Sequence, residues 1–338
     1  MGVDLSPLVV KEKVSIRDFS GMTFAIDGYN ILYQFLSSIR QNDGTPLMDS
    51  KGRVTSHLSG CFYRSISLME AGIRPVFVFD GKPSRLKAAT IRERVQAKEK
   101  AAEELIVARE KRDMERVRSL SARVNYITRD MVGETKALLS AMGIPYVQAP
   151  SEGEAQASYM CRTGQVYGVV SQDYDCLLFG SKRVFRNFTS GGRRKIPGKN
   201  MYVPVSPEMI DLDRTLEANG ITYDQLVDMA IMIGTDFNTG IEKVGPKTAL
   251  KLIKQHGSIE SVLSSRGEVI ENLDEIKAIF KTPSVEEKPE IKFRAPDRDK
   301  IIQILCDEHQ FASERIDPFI ETLISTYGGR SQTSLDTF

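Results

Sequence analysis

The chain contains no tryptophan, only three histidines and only four cysteines in 338 residues. Cys61, Cys161, Cys176 and Cys306 stand too far apart for metal-ligand spacing, and with so few histidines a zinc ribbon or finger is excluded. The cysteines read as free thiols of a reducing compartment. An excess of one charge is also missing: 46 Lys and Arg face 45 Asp and Glu, a net charge of +1. Global charge therefore gives no argument for nucleic-acid binding, and only its distribution can. No stretch approaches the roughly 18 apolar residues needed to span a bilayer. The opening MGVDLSPLVV lacks the basic and long apolar regions of a signal peptide, so an intracellular, soluble protein is expected. What is present is ordinary globular composition, 41% hydrophobic and 27% charged, with length for one large domain or two smaller ones.

The charges are unevenly placed. Residues 82–129 hold 14 basic against 7 acidic side chains, and residues 182–199 hold 7 basic and no acidic ones. Such districts suit a polyanion held at particular places, although a solvated helix face reads the same way.

Three β-branched or aromatic runs end in an aspartate: MTFAID (22–27), RPVFVFD (74–80) and QVYGVVSQD (165–173). Each has the continuous apolar character of a strand buried on both faces. Helical patterns lie between them, including ILYQFLSSIR and SHLSGCFYRSISLMEAG, the second stopped by Gly72. Alternation of this kind predicts an α/β fold with a mostly parallel central sheet flanked by helices. Ligands of such sheets bind beyond the carboxyl ends of the strands, where Asp27, Asp80 and Asp173 would stand. Each could instead be a helix N-cap.

Two carboxylate pairs add to the three. Glu152 and Glu154 lie in APSEGEAQAS, where Ser151 is predicted to cap the following helix, and Asp173 is followed by Asp175. So many carboxylates repel unless a cation compensates them. With no histidine nearby, Mg²⁺ or Mn²⁺ fits better than zinc. A further acid, Asp236, precedes VGPKTALKLI (244–253), which has the form of a helix-hairpin-helix turn. There Gly245 would let backbone approach a phosphate, and the first-turn amides near Lys247 and Thr248 would face the anion.

These motifs together resemble a flap endonuclease of the archaeal and eukaryotic type, in the structure-specific 5′ nuclease superfamily. The resemblance is carried by FDGKPSRLK (79–87), APSEGEAQA (149–157), SQDYDCLLFG (171–180), GTDFN (234–238) and VGPKTALKLI, in the expected order and covering the whole chain. It implies a single nuclease domain over residues 1–330, with a helical arch inserted at 82–129 and a helix-hairpin-helix region at 223–256. It also implies two Mg²⁺ ions, replaceable by Mn²⁺, held by Asp27, Asp80, Glu152, Glu154, Asp173, Asp175 and Asp236. In the family one ion lies toward Asp80 and Glu154 and the other toward Asp173 and Asp175. Lys87 and Arg94 match the family's catalytic basic pair at the base of the arch, and Tyr33 matches an aromatic that stacks on an unpaired base. Gly234, Asp236, Gly245, Lys247 and Thr248 fall where the family contacts DNA. Gly2 falls where the family's processed amino end lies near the active site, and myristoylation is rejected.

The implied activity is Mg²⁺-dependent hydrolysis of a phosphodiester at the base of a 5′ flap, leaving a 5′-phosphate, with an associated 5′–3′ exonuclease. Its setting would be Okazaki-fragment maturation and repair, and its substrate branched double-stranded DNA with a 5′ flap. The segment 281–296, KTPSVEEKPEIKFRAP, reads as a surface connector. The last residues, 331–338, place Gln332, Leu335 and Phe338 in a register that resembles a sliding-clamp-binding peptide, without the usual second aromatic. No lysine-rich extension follows, as it does in eukaryotic relatives, which favours an archaeal source and a cytoplasmic setting over a nuclear one. A monomer is the default. Two alternatives stay open: an exonuclease specific for gaps or 5′ ends, and a catalytically silent DNA-junction scaffold.

Overall fold

The computed structural model describes residues 2–41, 44–124, 126–189, 193–195 and 202–333. Among the described residues nine strands are present: β1 Lys11–Lys13, β2 Thr23–Asp27, β3 Arg74–Phe79, β4 Tyr146–Gln148, β5 Gly168–Val170, β6 Arg183–Arg186, β7 Arg193–Lys195, β8 Tyr202–Pro204 and β9 Glu208–Asp211. Seven form one sheet in the order β1-β9-β6-β5-β2-β3-β4, while β7 and β8 pair with each other. The run β6-β5-β2-β3-β4 is parallel throughout, and β9 and β1 add an antiparallel edge. The mostly parallel α/β sheet expected from the sequence is therefore present. Its third acid-terminated run is a strand only over Gly168–Val170, shorter than the pattern suggested.

Side-chain alternation divides the core. From β2 and β3, Phe24, Ile26, Phe77 and Phe79 point to one face, and Ala25, Val76 and Val78 to the other. The aromatic face is covered by α1 (Gly28–Ser38), α2 (Ser56–Glu70) and, after the arch, α5 (Arg129–Ala141). The segment expected to form an arch holds α3 (Ala88–Glu110) and α4 (Met114–Arg123), packed on each other through Ala101, Leu105, Ala108, Val117 and Leu120. The small-residue face is covered by α6 (Gly153–Arg162), α7 (Asp175–Leu178) and several later helices. Following α8 (Leu212–Asn219), these are α9 (Tyr223–Ile233), α10 (Pro246–His256), α11 (Ile259–Arg266) and α12 (Leu273–Lys281). The chain ends with α13 (Arg298–Ile302), one wider-wound turn at Gln303–Glu308, and α14 (Ser313–Thr333). Among the described residues no helix is long and apolar enough to cross a membrane.

The fold adds detail to two sequence readings. The surface connector expected at 281–296 is present, and it is tied to α6 and to the end of α5. Buried Gln156 both donates to the Glu286 carbonyl (2.9 Å) and accepts from its N–H (2.7 Å), while Arg294 N–H donates to Gly143 O and Asp297 N–H to Ala141 O. Second, part of the basic district at 182–199 is structural: Arg183 lies 4.4 Å over the Tyr167 ring and donates to that residue's carbonyl, and Arg186 lies 4.4 Å over Tyr174. Residues 190–192 and 196–199 of that district lie outside the described residues.

Candidate active site

The chain runs from β2 to β3 and β4 on one side and then crosses to β5 on the other, so the topological switch point lies beside the carboxyl end of β2. Asp27 is the last residue of β2, Asp80 follows β3 directly, and Asp173 lies three residues past β5. The three acids share one rim, as the strand ends require.

Asp27 is both a cap and a site acid. Its Oδ1 accepts from the Asn30 N–H (3.0 Å), closing the first turn of α1, and its Oδ2 accepts from Ser171 Oγ (3.0 Å). Asn30 also donates through Nδ2 to Asp173 Oδ2 (3.0 Å), tying β2 and β5 acids together. Asn30 and Ser171 were not singled out from the sequence. The signal was an amide three residues after a strand-ending aspartate, at N3 of the helix it caps.

The predicted cap of α6 is incorrect. Glu152 occupies the N-cap position with no side-chain cap bond, and the Gly153 N–H is taken by Asp80 Oδ1 across the sheet at 2.6 Å. A Cβ at residue 153 would meet that oxygen at 2.6 Å, so glycine is needed for the approach. Glu154 lies in the first turn of α6, as expected, and Asp175 opens α7, where its Oδ1 accepts from the Val3 N–H (2.8 Å). Gly2 packs on the same carboxylate, so the amino end lies beside the site as the resemblance implied.

Electrostatics join the set. Burial, then Asp80 and Asp173, push the Asp27 carboxyl up to about 7. Burial, then Asp173 and Asp236, push Asp175 up to about 7. Burial with Glu152 and Asp236 raises Asp80 despite the Gly153 bond, and burial with Asp175, Asp27 and Asp173 raises Glu154 well above the usual carboxylate range. All seven predicted acids therefore act on one another, through segments spread from residue 27 to residue 236.

Two cations from the foot of the arch meet this charge. Lys87 Nζ lies 2.5 Å from Glu152 Oε2 and 3.3 Å from Asp236 Oδ2, and Arg94 pairs with Asp236 Oδ1. Burial pulls the Lys87 ammonium down, but Glu152, Asp236 and Asp80 more than offset it and hold it above its ordinary value. Their i, i+7 spacing does place both on one face, since both reach the same aspartate.

The residues fit a hard divalent cation. The donors are all carboxylate oxygens, and Glu152 Oε1 is buried without a hydrogen-bond partner. Burial and then Glu154 keep the adjacent Cys176 thiol well above its ordinary range, so it offers no thiolate. Among the described residues no group of three such side chains is arranged to hold an ion as it stands. Lys87 and Arg94 lie on these oxygens instead.

The other predicted contact residues lie on or beside α1, α9, α10 and α14 where they are described. Tyr33 is 39% exposed on α1, so it is not core. Gly234 (φ 110°) ends α9, and Gly245 is the N-cap of α10 with Pro246 at the first helical position. Gly245 is extended, and a Cβ there would meet nothing within 4 Å, so neither backbone strain nor internal packing demands glycine. Lys247 and Thr248 are exposed in the first turn of α10. Gln332 falls in the last turn of α14, while Leu335 and Phe338 lie outside the described residues.

Residues 1–101 match the XPG N-terminal domain and residues 143–236 the XPG I-region. Flap endonuclease 1 of Picrophilus torridus is 52% identical over 338 residues, covering all of both chains. The enzyme of the same name from Methanothrix thermoacetophila is 51% identical over 334 residues, 98% of each chain. The solved flap endonuclease-1 of Methanococcus jannaschii superposes with a TM-score of 0.79 at 43% identity, covering 97% of this chain and 100% of that one. The catalytic core of Rad2 in complex with DNA substrate, at 23% identity and TM-score 0.69 over 93% and 96% of the two chains, shares the fold. With full-length identity of this order and the matched domains spanning its acidic rim, the chain belongs to the flap endonuclease family, among relatives from archaea.

Proposed function

We propose that this chain is a Mg²⁺-dependent 5′ flap endonuclease that hydrolyses the phosphodiester at the base of a 5′ flap in branched DNA and leaves a 5′-phosphate. The observation that carries it is the convergence of seven carboxylates on the carboxyl edge of a parallel sheet, with Lys87 and Arg94 docked on them. Asp80 and Glu154 would hold one Mg²⁺ and Asp173 and Asp175 a second, with Asp27, Glu152 and Asp236 completing the set directly or through water; Mn²⁺ would serve as well. When bound, the ions supply a nucleophilic water at neutral pH and stabilise the leaving oxygen of an in-line displacement.

The chain's own residues do the rest. Lys87 and Arg94 exchange their carboxylate partners for the scissile phosphate, holding it as fixed cations where charge develops. Tyr33 offers an exposed ring to an unpaired base. Gly245 leaves room for a phosphate of the duplex, and the first-turn N–H groups of α10 with Lys247 and Thr248 bind it without reading sequence. The arch of α3 and α4 would admit a single strand and reject a duplex by shape. Exonuclease action on 5′ ends, a place in Okazaki-fragment maturation and repair, a monomeric state, and a sliding-clamp contact through residues 331–338 belong to the same reading.

The test is cleavage of a 5′-labelled double-flap DNA beside plain duplex and single strand, with Mg²⁺ or chelator, for wild type and Asp173→Ala. One short labelled fragment, lost with chelator and in the variant, supports the reading. Mononucleotides from a recessed end with no preference for the flap would replace it with the exonuclease, and tight flap binding without cutting would replace it with the scaffold.

A further inference from the structure

Two tyrosines on different elements share one ammonium at the side of the arch. Tyr33 on α1 and Tyr126, three residues past the end of α4, are 39% and 44% exposed. Lys98 on α3 places Nζ 4.9 Å from the Tyr33 ring centroid and 4.7 Å from the Tyr126 centroid, and donates to the Tyr33 hydroxyl at 3.0 Å. Single exposed aromatics are ordinary, but two rings on one cation are not scattered exposure.

Lys98 differs from the cations below it. Lys87 and Arg94 are bound to carboxylates, whereas the contacts of Lys98 among the described residues are the two tyrosines. Positions 94 and 98 fall one turn apart on one face of α3, and Lys87 caps the start of that helix. A basic track thus leads from the carboxylate rim to the tyrosine pair.

The geometry points to Tyr126 as a further substrate-positioning residue, forming with Tyr33 a two-sided stacking site for an unpaired base of the single-stranded 5′ segment. Lys98 occupies the site until a backbone phosphate takes its ammonium. A nucleotide of a single strand brings both replacements at once: an anion for the lysine, and a flat base for the ring faces the lysine leaves. A duplex brings phosphates but keeps its bases stacked inside, so it cannot make the exchange. This inference rests on the flap-cutting reading above.

The experiment uses the full chain and two DNAs, one with a single-stranded 5′ flap carrying 2-aminopurine at its first unpaired nucleotides, the other the same duplex nicked without a flap. Binding is measured in chelator, and KM and kcat in Mg²⁺, for wild type, Tyr126→Phe, Tyr126→Ala and Lys98→Met. Tyr126→Phe should match wild type. Tyr126→Ala should weaken flap binding about 10-fold, raise KM with little change in kcat and lose 2-aminopurine quenching, while binding of the nicked duplex is unchanged. Lys98→Met should keep the quenching and lower the salt dependence of flap binding by about one phosphate contact. Unchanged KM and quenching in Tyr126→Ala overturns the proposal, as does an equal loss on both DNAs, which would mark Tyr126 as merely structural. Wild type that cuts no flap would sink the underlying reading instead, whereas wild type that cuts while Tyr126→Ala is indifferent sinks this inference alone.

Discussion

Asp27 and Asp175 show what burying a carboxylate rim does to single residues. Both carboxyls are pushed from 3.8 to about 7, first by burial and then by neighbouring acids. A folded-state value above the unfolded one means the fold binds protons more tightly. The contribution is therefore full in acid and is lost as pH rises from about 4 through about 7. In chelator the melting temperature should fall between pH 5 and pH 8, and Mg²⁺ should flatten that slope by replacing the protons. Asp27→Asn keeps an acceptor for Asn30 N–H while removing charge, so it should raise the metal-free melting temperature at pH 8; a lower value there would contradict the coupling. Lys87→Met and Arg94→Ala should each cut kcat by about 10²–10³-fold with a much smaller change in KM, measured at saturating flap DNA. The acids were legible because strand ends and short motifs are local. The cap of α6 was not, since Ser151 is its sequence neighbour but Asp80 is its spatial one.

At the scale of elements, the tie between residues 281–296 and α6 was hidden for the same reason. Proline and charge at 281–296 read as a linker, and nothing in that segment announces that Gln156, on α6, takes both polar groups of Glu286. Gln156→Ala removes both bonds between this buried side chain and the backbone of exposed Glu286 and should cost about 2 kcal/mol, read as a shift in the urea midpoint at unchanged slope. A change under about 0.5 kcal/mol would show that water replaces both bonds. The helix pair α3 and α4 could be expected as an arch only through resemblance. Its long helix α3 covers just Ala101, Leu105 and Ala108 against α4, so it carries no broad apolar stripe. The strands β2 and β3 were legible because both faces are buried, which writes them as continuous apolar runs.

Across the whole molecule, charge is neutral in sum and sorted in space. Negative charge gathers at one sheet edge from segments far apart in sequence, and Lys87, just before α3, and Arg94, on it, stand against it. The two basic districts separate on inspection of the fold. Arg183 and Arg186 are spent on carbonyls and tyrosine rings, while Lys87, Arg94 and Lys98 line the route to the carboxylates. Salt dependence of flap binding should therefore drop for Lys98→Met and stay unchanged for Lys182→Met, an exposed residue on the far district. Sequence could mark where the charges cluster along the chain; it could not say which are already satisfied.

The central claim is that the seven carboxylates form one binding centre for divalent ions. Calorimetric titration of Mn²⁺ into metal-free wild type and Asp173→Ala at pH 6.5, where the Asp27 and Asp175 carboxyls still hold protons, tests it most directly. Two ions per wild-type chain, with protons released as they bind and at least one ion lost in the variant, is the predicted result. No saturable binding, or the same stoichiometry and proton release in both proteins, would contradict it.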